Sequence, residues 1–418
     1  MRRYGMRYAA IIGAAVMLLA ACAGSAEDAP PPPTDDGTTI EDLGGTGARD
    51  IAPVILPTRD PSLSWPDAPA VLTAESVAQV VNLGLLRAPD PASTIFHHHF
   101  SADGQKLVAL NDSYLLGYDL RTGETLFTNT RQQAIVAYLA ADNGAVHAVT
   151  SNGVGLNFDA TNGRLQAEYT AHEHFANVAD FTASGGWLAV GGTDGSVRVW
   201  DAADRRSLAT IPAHIGRVTH VAFSSDGALL ATGGADQRVI VWDWREREPL
   251  HVIENGGRVE NIAFNPAGDL IASAAPAYAT IWQLTDAGGV FQYTLNSETD
   301  GMLVLAFSPD GAHLITGGLT PEMAVWRAAD GELLALLPRA GGQRASAAFN
   351  PAGDLLLTSV LGGNVTLYDL TSLDETTIRA ARLSPQDRVV EVAVAPDGRA
   401  MTFFEATGQI SVWGVVGD

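Results

Sequence analysis

The chain has 418 residues, enough for more than one ordinary domain, although large all-β rings of this length also occur as single units. Its 43 glycines, 21 prolines and 17% charged residues suit short strands and tight turns better than long surface helices. The net charge of −22, with Lys106 as the only lysine, argues against nucleic acid or anionic lipid as a partner of the whole surface.

The first 22 residues have the pattern of an export signal. Arginines at positions 2, 3 and 7 precede an apolar run at 9–21, which is too short for a membrane-spanning helix of about 20 residues. The run ends in Leu-Ala-Ala before Cys22 and resembles a bacterial lipobox, which implies cleavage before Cys22 and acylation of its thiol. A plain secretory peptide is the alternative. Cys22 is the only cysteine, which excludes a disulfide framework and a cysteine-based metal site.

The next segment predicts a tether. It is rich in Pro, Asp, Gly and Thr and has no periodic apolar pattern, so it cannot bury enough apolar surface to offset chain entropy. We therefore expect a signal peptide at 1–21, a disordered tether at 22–72 and one folded domain at 73–418.

Beyond residue 90 the sequence repeats itself. The clearest copies, at 221–243, 305–327 and 347–369, each read as strand, turn, strand, turn, strand. Eight units can be counted, spaced as expected for propeller blades of roughly 40–45 residues. An aromatic residue ends the third strand of each unit: Tyr118, Phe158, Trp200, Trp242, Trp282, Trp326, Tyr368 and Trp413.

The units resemble WD40 repeats over roughly residues 90–418. Repeats three and four carry the Trp-Asp dipeptide, an Asp six residues before the Trp, and a His nine residues before the Phe of the first strand. These residues are Trp200, Asp194 and His172 in repeat three, and Trp242, Asp236 and His214 in repeat four. The resemblance implies an all-β fold, a single closed β-propeller of four-stranded blades, with eight blades expected and seven as the fallback.

The family also implies a structural chain of hydrogen bonds inside a blade. Only repeat four has all four residues, His214, Thr232, Asp236 and Trp242. A buried indole N–H and a buried imidazole each need a partner, so we expect this tetrad to stabilise the blade. Repeat three has Val190 at the Thr position, and repeat six has Glu298 and Thr320 in place of His and Asp. Those blades are expected to depend on apolar packing.

Ring closure can also be predicted. The few residues after Trp413 cannot form the outer strand of the last blade, so the segment from Val80 to Leu86 is expected to supply it. A helical turn is expected just before it, at 73–81.

Repeats one and two also resemble quinoprotein-like propeller repeats. This second resemblance predicts the same ring.

No catalytic motif is found, so a non-enzyme without cofactor or metal is expected. The P-loop, the nucleophile elbow, the two-His zinc helix and the EF-hand loop are all absent. The cluster His97-His98-His99 on the first strand could begin a metal site, but three or four ligands are usual and no carboxylate lies nearby in the sequence. A structural histidine cluster is therefore preferred.

Three arginines share one phase of the repeat. Arg217, Arg258 and Arg388 each lie six residues before the end of a first strand, on the rim that carries the loops between blades. They are candidates for binding a partner's carboxylates. The preferred alternative is that each pairs with an acid of a neighbouring blade.

These features predict a monomeric ring on a lipidated tether outside the cytoplasm, a non-catalytic scaffold that binds a protein or peptide through its face loops. Contact with the membrane is expected through the anchor only, and nucleic acid is not an expected partner. Fold analogy carries much of this prediction. The alternatives are a lipoprotein assisting outer-membrane β-barrel assembly, and a propeller hydrolase or lyase acting on an extracellular polymer, which would need two carboxylates in a cleft.

Overall fold

A computed structural model gives the fold of most of the chain beyond residue 49. The described residues are 50–55, 71–73, 80–87, 95–101, 103–111, 114–120, 122–130, 135–140, 145–182, 186–285, 288–296, 302–318, 323–337, 344–360, 365–373, 377–383, 389–405 and 409–415. In these ranges the regular elements are 33 strands and one 3-10 turn, Leu370–Ser372. No helix among them is long and apolar enough to cross a membrane.

The strands form eight sheets, one for each repeat, which we number as blades 1 to 8. Two strands precede the repeats: β1 (Asp50–Ile55) and β2 (Val80–Arg87). Blades 1 and 2 contain β3 (Ile95–Phe100), β4 (Lys106–Asn111), β5 (Tyr114–Asp119), β6 (Thr125–Thr130), β7 (Ile135–Ala140), β8 (Ala145–Thr150), β9 (Val154–Asp159) and β10 (Leu165–Thr170). Blades 3 and 4 contain β11 (Ala176–Phe181), β12 (Trp187–Gly192), β13 (Ser196–Asp201), β14 (Arg206–Pro212), β15 (Val218–Phe223), β16 (Leu229–Gly234), β17 (Arg238–Asp243) and β18 (Glu248–Glu254).

The remaining four blades follow in the same order along the chain. Blades 5 and 6 contain β19 (Asn261–Phe264), β20 (Leu270–Ala275), β21 (Tyr278–Thr285), β22 (Gly288–Asn296), β23 (Met302–Phe307), β24 (His313–Gly318), β25 (Met323–Arg327) and β26 (Leu333–Leu337). Blades 7 and 8 contain β27 (Arg344–Phe349), β28 (Leu355–Val360), β29 (Val365–Asp369), β30 (Thr377–Leu383), β31 (Val389–Val394), β32 (Ala400–Glu405) and β33 (Gln409–Val415). The predicted all-β ring of eight blades is confirmed.

The last blade is completed by a strand from the start of the domain. β2 pairs antiparallel with β33, with Val80 opposite Val415 and Leu86 opposite Ile410. The sheet order of blade 8 is therefore β2, β33, β32, β31. This confirms that the segment from Val80 to Leu86 closes the ring, which joins the two ends of the domain in one sheet.

The hydrophobic core lies between the blades. Successive blades share clusters of buried side chains, such as Leu188 and Trp200 of blade 3 with Val221 and Leu230 of blade 4. A Cβ placed at Gly191 would lie 2.7 Å from a methyl group of Val218 in the next blade, so there is no space for a side chain there. Close approach of one sheet to the next is what buries the apolar faces.

Two parts of the predicted tether contact the ring. β1 pairs in parallel with β30, which gives blade 7 a fifth strand. Leu72 is 2% exposed and packs between blades 7 and 8, and its N–H donates to the carbonyl of Gly398 at 2.8 Å. Both lie inside the segment 22–72 that was predicted to be a disordered tether. The signal peptide, residues 22–49 and most of the predicted helical turn lie outside the described residues.

Substitution of Leu86 tests the role of the closing strand. Leu86 is 2% exposed, and truncation to Ala leaves a cavity at the point of closure. We expect Leu86→Ala to lower the free energy of unfolding by about 3 kcal/mol. Val252→Ala, at a position 56% exposed on an outer strand, should cost less than about 0.5 kcal/mol. Urea unfolding of the full chain measures both, and equal midpoints would contradict the assigned role of β2.

Candidate functional site

The four tetrad residues of blade 4 form one chain of hydrogen bonds. The indole Nε1 of Trp242 donates to Oγ1 of Thr232 at 2.9 Å, and this hydroxyl lies 2.8 Å from Nε2 of His214. The Nδ1 of His214 lies 2.9 Å from Oδ1 of Asp236. Burial lowers the pKa of His214 despite the opposing effect of Asp236, so the imidazole stays neutral at pH 7. A neutral ring can accept from Thr232 and donate to Asp236, which satisfies each polar group.

The tetrad continues to the surface. Oδ2 of Asp236 also accepts the backbone N–H of Ile215 at 3.0 Å, which fixes the loop between β14 and β15. Ile215 is 82% exposed, although its backbone is held by a buried network. An apolar side chain presented on an immobilised loop is a common feature of binding sites.

Blade 3 presents a second exposed apolar residue in the equivalent loop. Phe175 lies between β10 and β11 and is 67% exposed. Its carbonyl accepts the N–H of Thr193 at 3.0 Å, which fastens the loop to the turn between β12 and β13. Phe175 and Ile215 lie on the same face of the ring, on adjacent blades. Sequence reasoning missed both, although an apolar residue in a polar loop was a visible signal.

The predicted arginines are only partly brought together. Arg217 and Arg258 precede the inner strands of blades 4 and 5 on this face, while Arg388 lies outside the described residues. Arg217 is half-buried and interacts with other parts of the ring. The Nη2 of Arg258 pairs with Oε1 of Glu260 at 2.8 Å. Glu260 belongs to the same blade as Arg258, whereas the sequence analysis expected Arg258 to pair with an acid of a neighbouring blade.

A further residue of this face has an unusual backbone. Gln237 follows Asp236 with φ of 67°, in the left-handed region that favours glycine. Blades 2 and 3 have Gly153 and Gly195 at the same position of the turn, with φ of 83° and 86°. We call the set Phe175, Ile215, Arg217, Gln237 and Arg258 the blade 3–5 face.

The tryptophans of blades 3 and 6 find hydrogen-bond partners by different routes. In blade 3 the Nε1 of Trp200 donates to the carbonyl of Ala171 at 2.9 Å, because Val190 offers no hydroxyl. In blade 6 the Nε1 of Trp326 donates to Oγ1 of Thr316 at 2.8 Å. Both blades have the expected apolar packing, and each also has a hydrogen bond from its indole N–H.

The histidine cluster includes an inter-blade contact. His98 is buried, its Nδ1 lies 3.2 Å from Oε2 of Glu391, and its ring lies 4.2 Å from that of Phe404. Both partners belong to blade 8, so a carboxylate that is distant in sequence does reach this residue. The side chains of His97 and His99 are outside the described set. Within the residues described, no group of three or more His, Cys, Asp or Glu could hold a metal ion.

A Ser-His-Asp grouping on this side of blade 3 does not have the hydrogen-bond direction that a nucleophile and its general base require. The N–H of His174 donates to Nδ1 of His172 at 3.2 Å, so Nε2 carries the ring proton. This Nε2 lies 3.2 Å from Oγ of Ser196, whose hydroxyl lies 2.9 Å from Asp194. The imidazole donates to the serine, whereas a general base accepts its proton. The grouping stabilises the turn.

A half-buried carboxylate on the inner strand of blade 3 connects this blade to the next one. Oδ2 of Asp180 accepts the N–H of Phe223 in blade 4 at 2.9 Å. Burial raises the pKa of Asp180 to about 6, and the hydrogen bonds from Phe223 and Phe181 lower it only in part. This bond joins two inner strands and therefore supports the position of both blades.

Comparison with known proteins shows the same architecture. The family model described as IFT122 first beta-propeller matches residues 176–418, more than half of the chain. The mouse protein WD repeat-containing protein 75 is 25% identical over 159 residues, covering 38% of this chain and 19% of the mouse protein. The chain thus matches about a fifth of the length of that relative.

Solved structures agree in fold. The crystal structure of the C-terminal WD40 domain of Sif2 has a TM-score of 0.67 and 15% identity, covering 81% of this chain and 99% of that domain. The computationally designed Ika8 protein has a TM-score of 0.65 and 18% identity, and the match covers 79% of this chain and 99% of that protein. At this level of identity the similarity concerns the fold alone.

Removal of one hydroxyl tests the tetrad. Thr232→Val keeps the shape of the side chain but leaves Nε2 of His214 and Nε1 of Trp242 without their partner. We expect the free energy of unfolding to fall by about 3 kcal/mol, since two buried groups lose a hydrogen bond. Thr210→Val, on the exposed side of β14, is the matched control. Equal melting temperatures for the two variants would contradict the role of the tetrad.

Proposed function

The chain belongs to the WD40-type β-propeller family, and we propose that it is a non-catalytic, lipid-anchored scaffold that binds a protein partner through the blade 3–5 face. WD40 propellers are typically protein-interaction scaffolds. Fold alone does not assign function, so the choice of this face depends on its own residues.

The observation that carries the proposal is the exposure of Ile215 on a fixed loop. Its side chain is 82% exposed, yet its N–H is held by Asp236, whose other oxygen is held by His214. Binding therefore needs little ordering of this loop, and ordering of loops and side chains is a main cost of association. Phe175, 67% exposed on the adjacent blade, provides a second apolar anchor.

The surroundings of the two anchors suit a protein interface. Interfaces have an apolar centre with polar residues at the rim, and aromatic residues and arginines are enriched in them. Arg217 and Arg258 lie beside the anchors, on blades 4 and 5. The Arg258 side chain is 56% exposed even with Glu260 bound to it, so a partner carboxylate could approach the guanidinium. The partner proposed is a protein segment with apolar side chains flanked by acids.

The proposed location rests on the N-terminal sequence. A positive start, an apolar run at 9–21 and a lipobox-like ending at Cys22 support export and acylation of that thiol. The acyl groups would hold the ring near a membrane outside the cytoplasm, with the residues before Asp50 as the link.

Binding through this face is tested by substitution of its exposed anchor. Ile215→Asp places a charge at the centre of the proposed interface without touching the core. We expect the partner recovered with the purified full chain to fall at least about tenfold. Val252→Asp, on an outer strand of the same blade, should recover as much partner as the wild type. Quantitative mass spectrometry of cross-linked complexes gives the ratio of partner recovered with each variant to partner recovered with the wild type. Equal recovery with Ile215→Asp would contradict the assignment of this face.

The anchor is tested separately, at the cysteine. We expect the wild-type chain to incorporate labelled palmitate in a bacterial host and to sediment with membranes. Cys22→Ser should lose the label and appear in the soluble extracytoplasmic fraction. Ser25→Ala, a nearby change outside the lipobox-like run, is the control and should keep both properties. A labelled Cys22→Ser variant would disprove acylation at this residue.

A further inference from the structure

The turns between the third and fourth strands lie on the face of the ring opposite to the blade 3–5 face. In blades 1, 2 and 6 the fourth residue after the end of the third strand is a glycine with positive φ: Gly123 at 71°, Gly163 at 67° and Gly331 at 74°. Blades 3 and 4 have arginines there, Arg205 at 57° and Arg247 at 62°. Residues other than glycine are disfavoured in this backbone region. Blades 3 and 4 therefore carry an arginine at a turn position where glycine would cause less strain.

A third arginine in the same turns packs against two aromatic rings. The guanidinium carbon of Arg245 lies 4.5 Å from the ring centre of Trp187 in blade 3 and 4.4 Å from that of Trp244 in blade 4. The Nε1 of Trp244 donates to the carbonyl of Gly227 at 3.0 Å, which fixes its ring. The two rings meet edge to face with centres 5.4 Å apart, and the guanidinium of Arg245, an exposed residue, packs against both of them.

Arg206, next to Arg205, completes a group of four exposed arginines, which we call the turn-arginine face: Arg205, Arg206, Arg245 and Arg247. None of the four forms an ion pair within the described part of the chain. Arginines outside this group do form ion pairs there, among them Arg198, Arg238, Arg258 and Arg327. Arg205, Arg245 and Arg247 each donate one hydrogen bond to a backbone carbonyl, at 3.4, 3.3 and 3.4 Å. The other N–H groups of each guanidinium remain for the carboxylates of a ligand.

Acids in the same turns restrict what this ligand can be. Asp201 and Asp243 bend back to accept backbone N–H groups of their own turns, at 2.9 Å from Asp204 and 3.1 Å from Arg245. Glu246 and Glu248 remain exposed between the arginines. A continuous polyanion would meet these carboxylates and the net charge of −22, whereas single carboxylates can bind the guanidinium groups one by one.

We propose that the turn-arginine face is a second binding surface, which takes the carboxylates of an acidic peptide segment of a partner protein. It goes beyond the function proposed above, because it lies on the other face of the ring and shares no residue with the blade 3–5 face. A scaffold with two such surfaces could hold two partners on opposite sides of one rigid disc.

The test uses a change that should help folding while it removes binding. In the double variant Arg205→Gly/Arg247→Gly, glycine suits the left-handed backbone, so the melting temperature should be equal to or above that of the wild type. The probe is a short fluorescent peptide in which single glutamates are separated by glycine and serine, and its binding to the full chain is followed by fluorescence anisotropy. We expect salt-dependent binding to the wild type and a loss of about tenfold or more in the double variant.

Two controls separate this surface from the other one. Arg327→Ala removes an arginine of the same face that is already paired with Asp330, and it should leave binding unchanged. Ile215→Asp should also leave it unchanged, so the two proposals can fail independently.

Three outcomes would overturn the proposal. The first is a wild-type chain that does not bind the peptide, and the second is equal binding by the double variant. The third is tighter binding to phosphatidylglycerol vesicles or heparin than to the peptide, lost in the double variant, which would make the surface a general polyanion site.

Discussion

Every other feature of this protein depends on the packing of one sheet face against the next. A single blade has two apolar faces and cannot bury either alone, so each needs a neighbour on both sides. Gly191 shows how close the blades must be, since a Cβ there would lie 2.7 Å from Val218 of the next blade. A row of such blades has two open ends, and only closure removes them. The pairing of β2 with β33 is therefore a condition for the whole ring.

The blades accommodate their buried tryptophans in more than one way, and the difference affects what the surface can present. In blade 4 the tetrad connects the buried indole of Trp242 to the loop that carries Ile215. In blade 8 a phenylalanine replaces the threonine, and Phe403 stacks on Trp413 with ring centres 5.3 Å apart. Both arrangements fill the blade. Only the first extends as hydrogen bonds to a surface loop and holds its backbone in place.

The regular part of the molecule could be predicted from the sequence because it depends on local patterns. Strand, turn and aromatic residue recur at a nearly fixed distance, so the number of blades and the closing segment from Val80 to Leu86 followed from the repeat. The exceptions depend on contacts between residues far apart in the chain. Leu72 packs against residues of blades 7 and 8, and the carbonyl of Ala171 replaces a hydroxyl for Trp200. Neither contact has a local signature.

The candidate surfaces were harder to predict for a related reason: a repeat shows what its copies share, whereas binding depends on where they differ. The described non-glycine residues with positive φ are Arg205, Gln237 and Arg247, and all three belong to blades 3 and 4. Each takes a turn position at which other blades have glycine, at some cost in backbone energy. Blades 3 and 4 share one cluster of buried side chains, and this inter-blade packing can bear the strain at their turns. The stability of the interior thus permits residues with a strained backbone at both faces of the ring. These residues mark the surfaces where blades 3 and 4 differ from the blades that have glycine at the same positions.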